Sequence, residues 1–219
     1  MFDVANPTQG ADFDHPIVLL VEEYLNTFNK SVFSIANTIF PNGLYRRYGA
    51  PYFIEEFHQR ILPKVRRTDR WSGYYFERMT AYSHAEGKTL DQLSSIIERI
   101  RDPHNKTLNK FEVSLFDPWK DIDNSPYGGQ CLSFLSFKLL PGKKKKLALT
   151  ALYRNHFYIE KLLGNLIGLG WLMSFVAKES GVCVGPLTVL STHAKVDQPA
   201  KTKRNQIGEL LQRCSGAWT

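Results

Sequence analysis

Apolar residues recur at helical spacing from Pro16 to Thr27 (PIVLLVEEYLNT), with acidic residues set mid-face, which predicts a helix. From Ser31 to Phe40 (SVFSIANTIF) the pattern alternates in part and is rich in β-branched and aromatic residues, so it reads as a strand or extended segment ending at Pro41. Pro51 to Val65 (PYFIEEFHQRILPKV) begins with a proline where a helix start tolerates one and repeats apolar residues at three and four. Leu90 to Ile100 is the clearest amphipathic helix, its stripe made of Leu90, Leu93, Ile96, Ile97 and Ile100. The second half changes period. Lys110 to Phe116 (KFEVSLF), Cys131 to Leu139 (CLSFLSFKL) and Lys146 to Tyr153 (KLALTALY) are short alternating runs between turn signals, the pattern of a β-meander with one face on a core. A long apolar helix is expected from Glu160 to Lys178, a strand from Gly185 to Ser191 leading to His193, and a polar, basic surface helix or tail from Lys195 to Thr219. These elements predict an α/β (α+β) fold, a mixed sheet backed by helices.

Composition narrows the class. The 219 residues are 43% hydrophobic and 13% aromatic, which excludes disorder, collagen and a membrane bundle and fits a single domain over 1–219 with a basic C-terminal segment, 196–219. A net charge of +7 favours anionic partners, nucleotide or polyanion alike. Cys131, Cys183 and Cys214 are too scattered for a disulfide framework and form no CxxC pair, so no metal is expected and a cytoplasmic setting is the default. The first sixteen residues show no basic region followed by an apolar one, so no secretory leader is expected. No uninterrupted apolar run reaches the ~18 residues of a membrane span. Gly164, Gly168 and Gly170 punctuate the nearest approach, and Lys161 and Lys178 bracket it.

Several segments stand in a telling order. TLDQLSSIIERIRDP, EVSLFDP, QCLSFLSFKL, LYRNHFYIEKLLGN and GVCVGPLTVLSTHAK run from about Tyr75 to Lys195. In that order and spacing the chain resembles the thymidylate synthase superfamily, which includes the pyrimidine nucleotide hydroxymethylases. The segments resemble, in turn, its DQ helix ending in Asp-Pro, its V-S-A-W-N-P strand, its P-C-H-x-x-x-Q-F-Y-V strand, its Y-Q-R-S-x-D…P-x-N segment and its G-x-x-x-G-x-L…D-x-H-x-Y ending. The resemblance implies a thymidylate synthase-like sheet, a homodimer through the sheet face and one-carbon transfer to C5 of a pyrimidine nucleotide, with methylene-tetrahydrofolate as cofactor.

The chemistry explains why such residues should meet. C5 of a pyrimidine is a poor nucleophile until a group adds at C6, and a thiolate both adds and leaves readily. By the resemblance Cys131 is that nucleophile, Arg154 holds the phosphate, and Asn165 reads the ring edge, an amide being both donor and acceptor. His193 and Lys195 occupy the ribose-binding pair, Lys replacing Tyr. Tyr75 matches the tyrosine of the Tyr-Gly motif, and Glu56 the glutamate that orders water near C4. Lys110, beside Asn109, takes the place of two arginines that cross the dimer interface. Read alone, Cys131 is a small core residue on an apolar strand, Arg154 a strand-edge cation, His193 a structural histidine and Asn165 a helix-turn bridge.

Departures from the pattern bear on the donor. The aspartate that contacts the folate ring is replaced by Phe157, the serine and proline of the same segment by Asn155 and Leu163, the histidine after the nucleophile by Leu132 and the glutamine of its strand by Ser136. A tryptophan-bearing insert before Tyr75 is missing. Two functions follow: a C5 one-carbon transferase on a uracil-type nucleotide, or a degenerate homologue that serves as a nucleotide-binding or assembly subunit. Basic runs at Lys64, Arg66, Arg67 and Arg70, at Lys143 to Lys146, and at Lys201, Lys203 and Arg204 would form a nonspecific nucleic-acid surface if they converged, with Trp71, Tyr74 and Tyr75 to stack on bases.

Overall fold

The computed structural model describes residues 1–9, 14–66, 74–83, 87–122 and 130–217. A short strand β1 (Phe2–Val4) precedes helices α1 (Pro16–Asn26), α2 (Val32–Ile39) and α3 (Asn42–Tyr48). A helical stretch then runs through α4 (Tyr52–Glu56), a π-helical turn (Phe57–Ile61) and α5 (Leu62–Val65). Next come α6 (Tyr75–Thr80), the strand pair β2 (Tyr82–Ser83) and β3 (Thr89–Leu90), and α7 (Gln92–Arg101). Strand β4 (Phe111–Ser114) and the short helix α8 (Pro118–Asp121) lead to the long strands β5 (Leu132–Leu140) and β6 (Lys146–Tyr153). After β7 (His156–Phe157), a second π-helical turn (Tyr158–Leu162) opens α9 (Leu163–Ser180). The chain closes with β8 (Cys183–Ser191), β9 (Ala194–Lys195) and α10 (Arg204–Gly216).

The alternating runs form one mixed sheet in the order β1-β8-β6-β5-β4. β4, β5 and β6 make the expected antiparallel meander. β8 then pairs parallel to β6, which requires a crossover, and α9 supplies it. One face of the sheet carries Val113, Leu135, Phe137, Leu149, Ala151, Leu187 and Val189, all fully buried, against α7, α9 and an aromatic cluster of Phe40, Phe53, Phe57, Phe76 and Phe175. The opposite face bears the row Phe134, Leu152 and Leu190, with Leu190 40% exposed.

Ser31 to Phe40, expected as a strand, is the helix α2. Ser31 caps it by accepting from Ser34 N–H at 3.2 Å, and the Glu22 carboxylate accepts from Val32 N–H at 2.6 Å. Val32, Ile35, Ala36 and Ile39 lie buried on one helical stripe, so tertiary burial overrides the β-branched preference. Leu90, expected on the α7 stripe, sits in β3 and is exposed. By length and composition Tyr158–Ser180 is apolar enough to cross a membrane, yet Leu169, Leu172, Met173 and Val176 are fully buried within the core. The basic tail contains α10, which packs on α1 through Ile207 and Leu210 and through an Arg213–Glu23 ion pair at 2.9 Å.

A buried latch fixes α6. Arg78 forks onto the Asp121 carboxylate, Nη2 at 2.8 Å, and Nη1 also donates to the Leu115 carbonyl at 2.6 Å. Gln92 adds bonds of 2.9 Å to the Arg78 and Ser114 carbonyls. The helix that carries Tyr75 is thereby held to β4 and α8.

Candidate active site

The ends of β5 and β6 lie side by side. Arg154 N–H donates to the Cys131 carbonyl at 2.9 Å, and Leu132 stands opposite Tyr153. The register shifts between Leu132 and Phe134, a bulge that breaks the alternation just after Cys131. Arg154 Nε donates to the Gln130 carbonyl at 3.0 Å, which ties the guanidinium across the strand ends. From α6, the Tyr75 hydroxyl accepts from Leu132 N–H at 3.4 Å. Cys131, Arg154 and Tyr75 therefore meet at one place.

The thiol feels opposing influences. Burial pushes Cys131 above the usual thiol range, while the positive charges of Arg154 and Lys161 pull it down. Burial likewise raises the phenols of Tyr75 and Tyr153. Tyr153 Oη is buried with no hydrogen-bond partner among the described residues. Its ring stacks on His156, centroids 4.3 Å apart at 11°.

His156 links this floor to Asn165. Asn165 Nδ2 lies 2.9 Å from His156 Nε2, and His156 Nδ1 lies 3.0 Å from Ser191 Oγ. Desolvation lowers the imidazole pKa to about 4, so the ring is neutral near pH 7. Lys161 and Asn165, four residues apart, fall on the same side of the helix. Their segment is held by Asp197, whose carboxylate accepts from Ile159 N–H at 2.8 Å and Glu160 N–H at 3.3 Å. Glu160 sits between Lys30 at 2.8 Å and Lys161 at 2.9 Å.

The other expected residues take different places. His193 is exposed; its Nδ1 lies 2.8 Å from Asn155 Oδ1, and its carbonyl accepts from His156 N–H at 3.0 Å. Lys195, also exposed, pairs with Phe157 in the β7–β9 ladder, so both stand at the rim. Glu56 pairs with Arg60 at 3.1 Å on its own helix. Lys110 precedes Phe111, which faces Phe137 in β5, so it lies at the far end of the strand, on the order of 20 Å from Cys131. Lys143 to Lys146 are exposed in the hairpin at that same far end, whereas Lys201, Lys203 and Arg204 lie at the start of α10. Arg67, Arg70 and Trp71 lie outside the described residues.

Sequence reasoning missed His156 and Lys161. His156 stands two residues after Arg154, and Lys161 four before Asn165, but only the fold shows that the charge of Lys161 reaches Cys131 and that His156 meets Asn165. The residues present do not fit a folate ring as the resemblance implies. Phe157 offers no carboxylate, and the buried Asp197 is committed to two backbone N–H groups.

No family model matches the chain. Three curated archaeal proteins bearing the name "Putative thymidylate synthase" are similar to it. The one from Methanothermobacter marburgensis is 31% identical over 107 residues, 49% of this chain and 45% of that protein. That from Methanococcoides burtonii is 29% identical over 145 residues, 65% and 60% of the two chains. That from Methanothermobacter thermautotrophicus is 31% identical over 109 residues, 49% and 45%. The chain thus spans 45 to 60% of the length of the curated relatives it matches.

Proposed function

We propose that this chain, similar over part of its length to proteins named putative thymidylate synthase, binds a uracil-type pyrimidine nucleotide and that Cys131 adds to C6 of the ring. The observation that carries this reading is the meeting of Cys131, Arg154 and Tyr75 at the bulged ends of β5 and β6. Arg154 receives the phosphate, since a planar guanidinium suits its oxygens, and Asn165 meets the ring edge. His193 and Lys195 at the rim face the ribose. The partly exposed thiol first loses its proton to solvent water, a step that Arg154 and Lys161 favour by their charge. The thiolate then forms the S–C6 bond, the C5=C6 electron pair moves toward C4, and the negative charge comes to rest on O4. C5 thereby becomes nucleophilic, while Glu56 stays paired with Arg60.

The raised thiol and the replacement of the folate-contacting acid by Phe157 favour a second reading, a homologue that binds nucleotide as an assembly subunit without turning it over. One experiment separates the two. Incubation with 5-fluoro-dUMP, with and without methylene-tetrahydrofolate, followed by mass spectrometry of the Cys131 peptide, is expected to show an adduct. Saturable dUMP binding with no adduct supports the subunit reading, and absence of binding removes both.

A further inference from the structure

A cavity of about 260 Å³ opens between α4, α7 and α9. Its floor is apolar, made of Ile54 from α4, Ile97 from α7 and Phe175 from α9, the last two 7% and 2% exposed. It lies away from the Cys131 cleft. Phe175 and Glu179 stand ten and fourteen residues beyond Asn165 on α9, which at ~1.5 Å per residue places them roughly 15 and 21 Å further along the helix.

Three charged side chains line the rim, Glu98, Arg101 and Glu179. Two of them are spent on each other. Arg101 donates from Nε to the Glu179 carbonyl and from Nη2 to its carboxylate at 3.3 Å, and the Tyr45 hydroxyl donates to the other carboxylate oxygen at 2.5 Å. Glu98 is exposed, and its carboxylate has no ion-pair or hydrogen-bond partner among the described residues. One uncommitted negative charge thus stands over a hydrocarbon floor. Sites for drug-sized ligands run to ~300–1,000 Å³, so the volume suits a single ring or a short chain. The floor gains by covering hydrocarbon, and the rim favours a cation, because an ammonium brings three N–H donors to a carboxylate that would repel an anion. We propose that this cavity is a binding site for a small organic cation, a primary ammonium on one apolar ring or short chain, held by Glu98. The site is independent of the nucleotide reading of the Cys131 cleft.

Benzylamine, benzyl alcohol and benzoate share a ring and differ in charge, which makes them the probes. Each is titrated at pH 7 into the whole chain carrying ¹³C-labelled isoleucine methyl groups, in unmodified, Glu98→Gln and Glu98→Lys forms. Benzylamine is expected to shift the Ile54 and Ile97 methyl signals saturably and to bind about threefold or more tightly than benzyl alcohol, the scale of a partly screened ion pair. Glu98→Gln should bring the two affinities together, and Glu98→Lys should place benzoate ahead of benzylamine. Because Glu98 is exposed, neither replacement disturbs the floor, and unchanged signals from isoleucines outside the cavity verify this. Equal binding of benzylamine and benzyl alcohol to the unmodified chain, tighter binding of benzoate, or a benzylamine preference that survives Glu98→Gln overturns the proposal. Failure of all three probes to shift the Ile54 and Ile97 methyl signals removes the site altogether.

Discussion

At Cys131, burial works against ionisation while Arg154 and Lys161 work for it. Removing either cation therefore raises the thiol pKa further and lowers the thiolate fraction at pH 7. Arg154→Ala and Lys161→Met are each expected to slow iodoacetamide labelling of the Cys131 peptide by about threefold or more, followed by mass spectrometry, since only the thiolate reacts. A second expectation concerns His156, whose folded pKa of about 4 lies below its ordinary 6.5. Between these values the unfolded chain binds a proton that the folded chain refuses, so stability is full above pH 6.5 and falls as pH drops toward 4. The loss amounts to roughly 3 kcal/mol. Urea midpoints across that window should fall steeply for the unmodified chain and less for His156→Phe. His58, also lowered by burial, adds to both curves, so their difference isolates His156. The meeting of Cys131 and Arg154 was legible because they stand at the ends of successive alternating runs. The surroundings of His156 were not, because only the fold brings Asn165 and Ser191 to its ring.

Among the elements, the alternating strands could be read directly, since a period of two survives any packing. α2 could not. Ten residues of apolar and β-branched character fit a strand or a short buried helix equally, and the deciding fact lies far away in the chain. α2 packs on α9 where Gly164 and Gly168 remove the side chains that would keep two helices apart: a Cβ at Gly164 would meet Ile35 and the Val32 carbonyl at 2.7 Å, and one at Gly168 the Ala36 carbonyl at 2.7 Å. Gly168→Ala is therefore expected to lower stability by about 1–3 kcal/mol through overpacking, read as a fall in the urea midpoint. Gly208→Ala on α10, where a Cβ meets nothing within 4 Å, should instead raise stability by roughly 0.5–1 kcal/mol. Equal responses at the two glycines would show that helix propensity, not contact with α2, governs both.

For the molecule as a whole, a homodimer of the kind the resemblance implies would use the outer row of Phe134, Leu152 and Leu190. Lys110 lies too far from Cys131 to act on it within one chain, so only a second copy could bring that charge to the cleft. Sedimentation is expected to give a dimer that Leu190→Glu converts to a monomer; a monomeric unmodified chain would leave Lys110 without a role. The lysines of the β5–β6 hairpin stand apart from the cleft and from the basic start of α10, so any nucleic acid held there would track phosphates rather than present a base to Cys131. The order of the sheet also sets an order of events. Phe2–Val4 pair with Leu187–Val189, and α1 packs on α10, so these early elements find their partners only after β8 and α10 have been made. Until then the β8 position beside β6 is unfilled and the meander keeps an open edge, the kind of template on which nascent chains pair with one another. A nascent chain stalled before residue 183 would therefore hold Cys131 on a sheet in which β8 is missing and β1 has no strand to pair with.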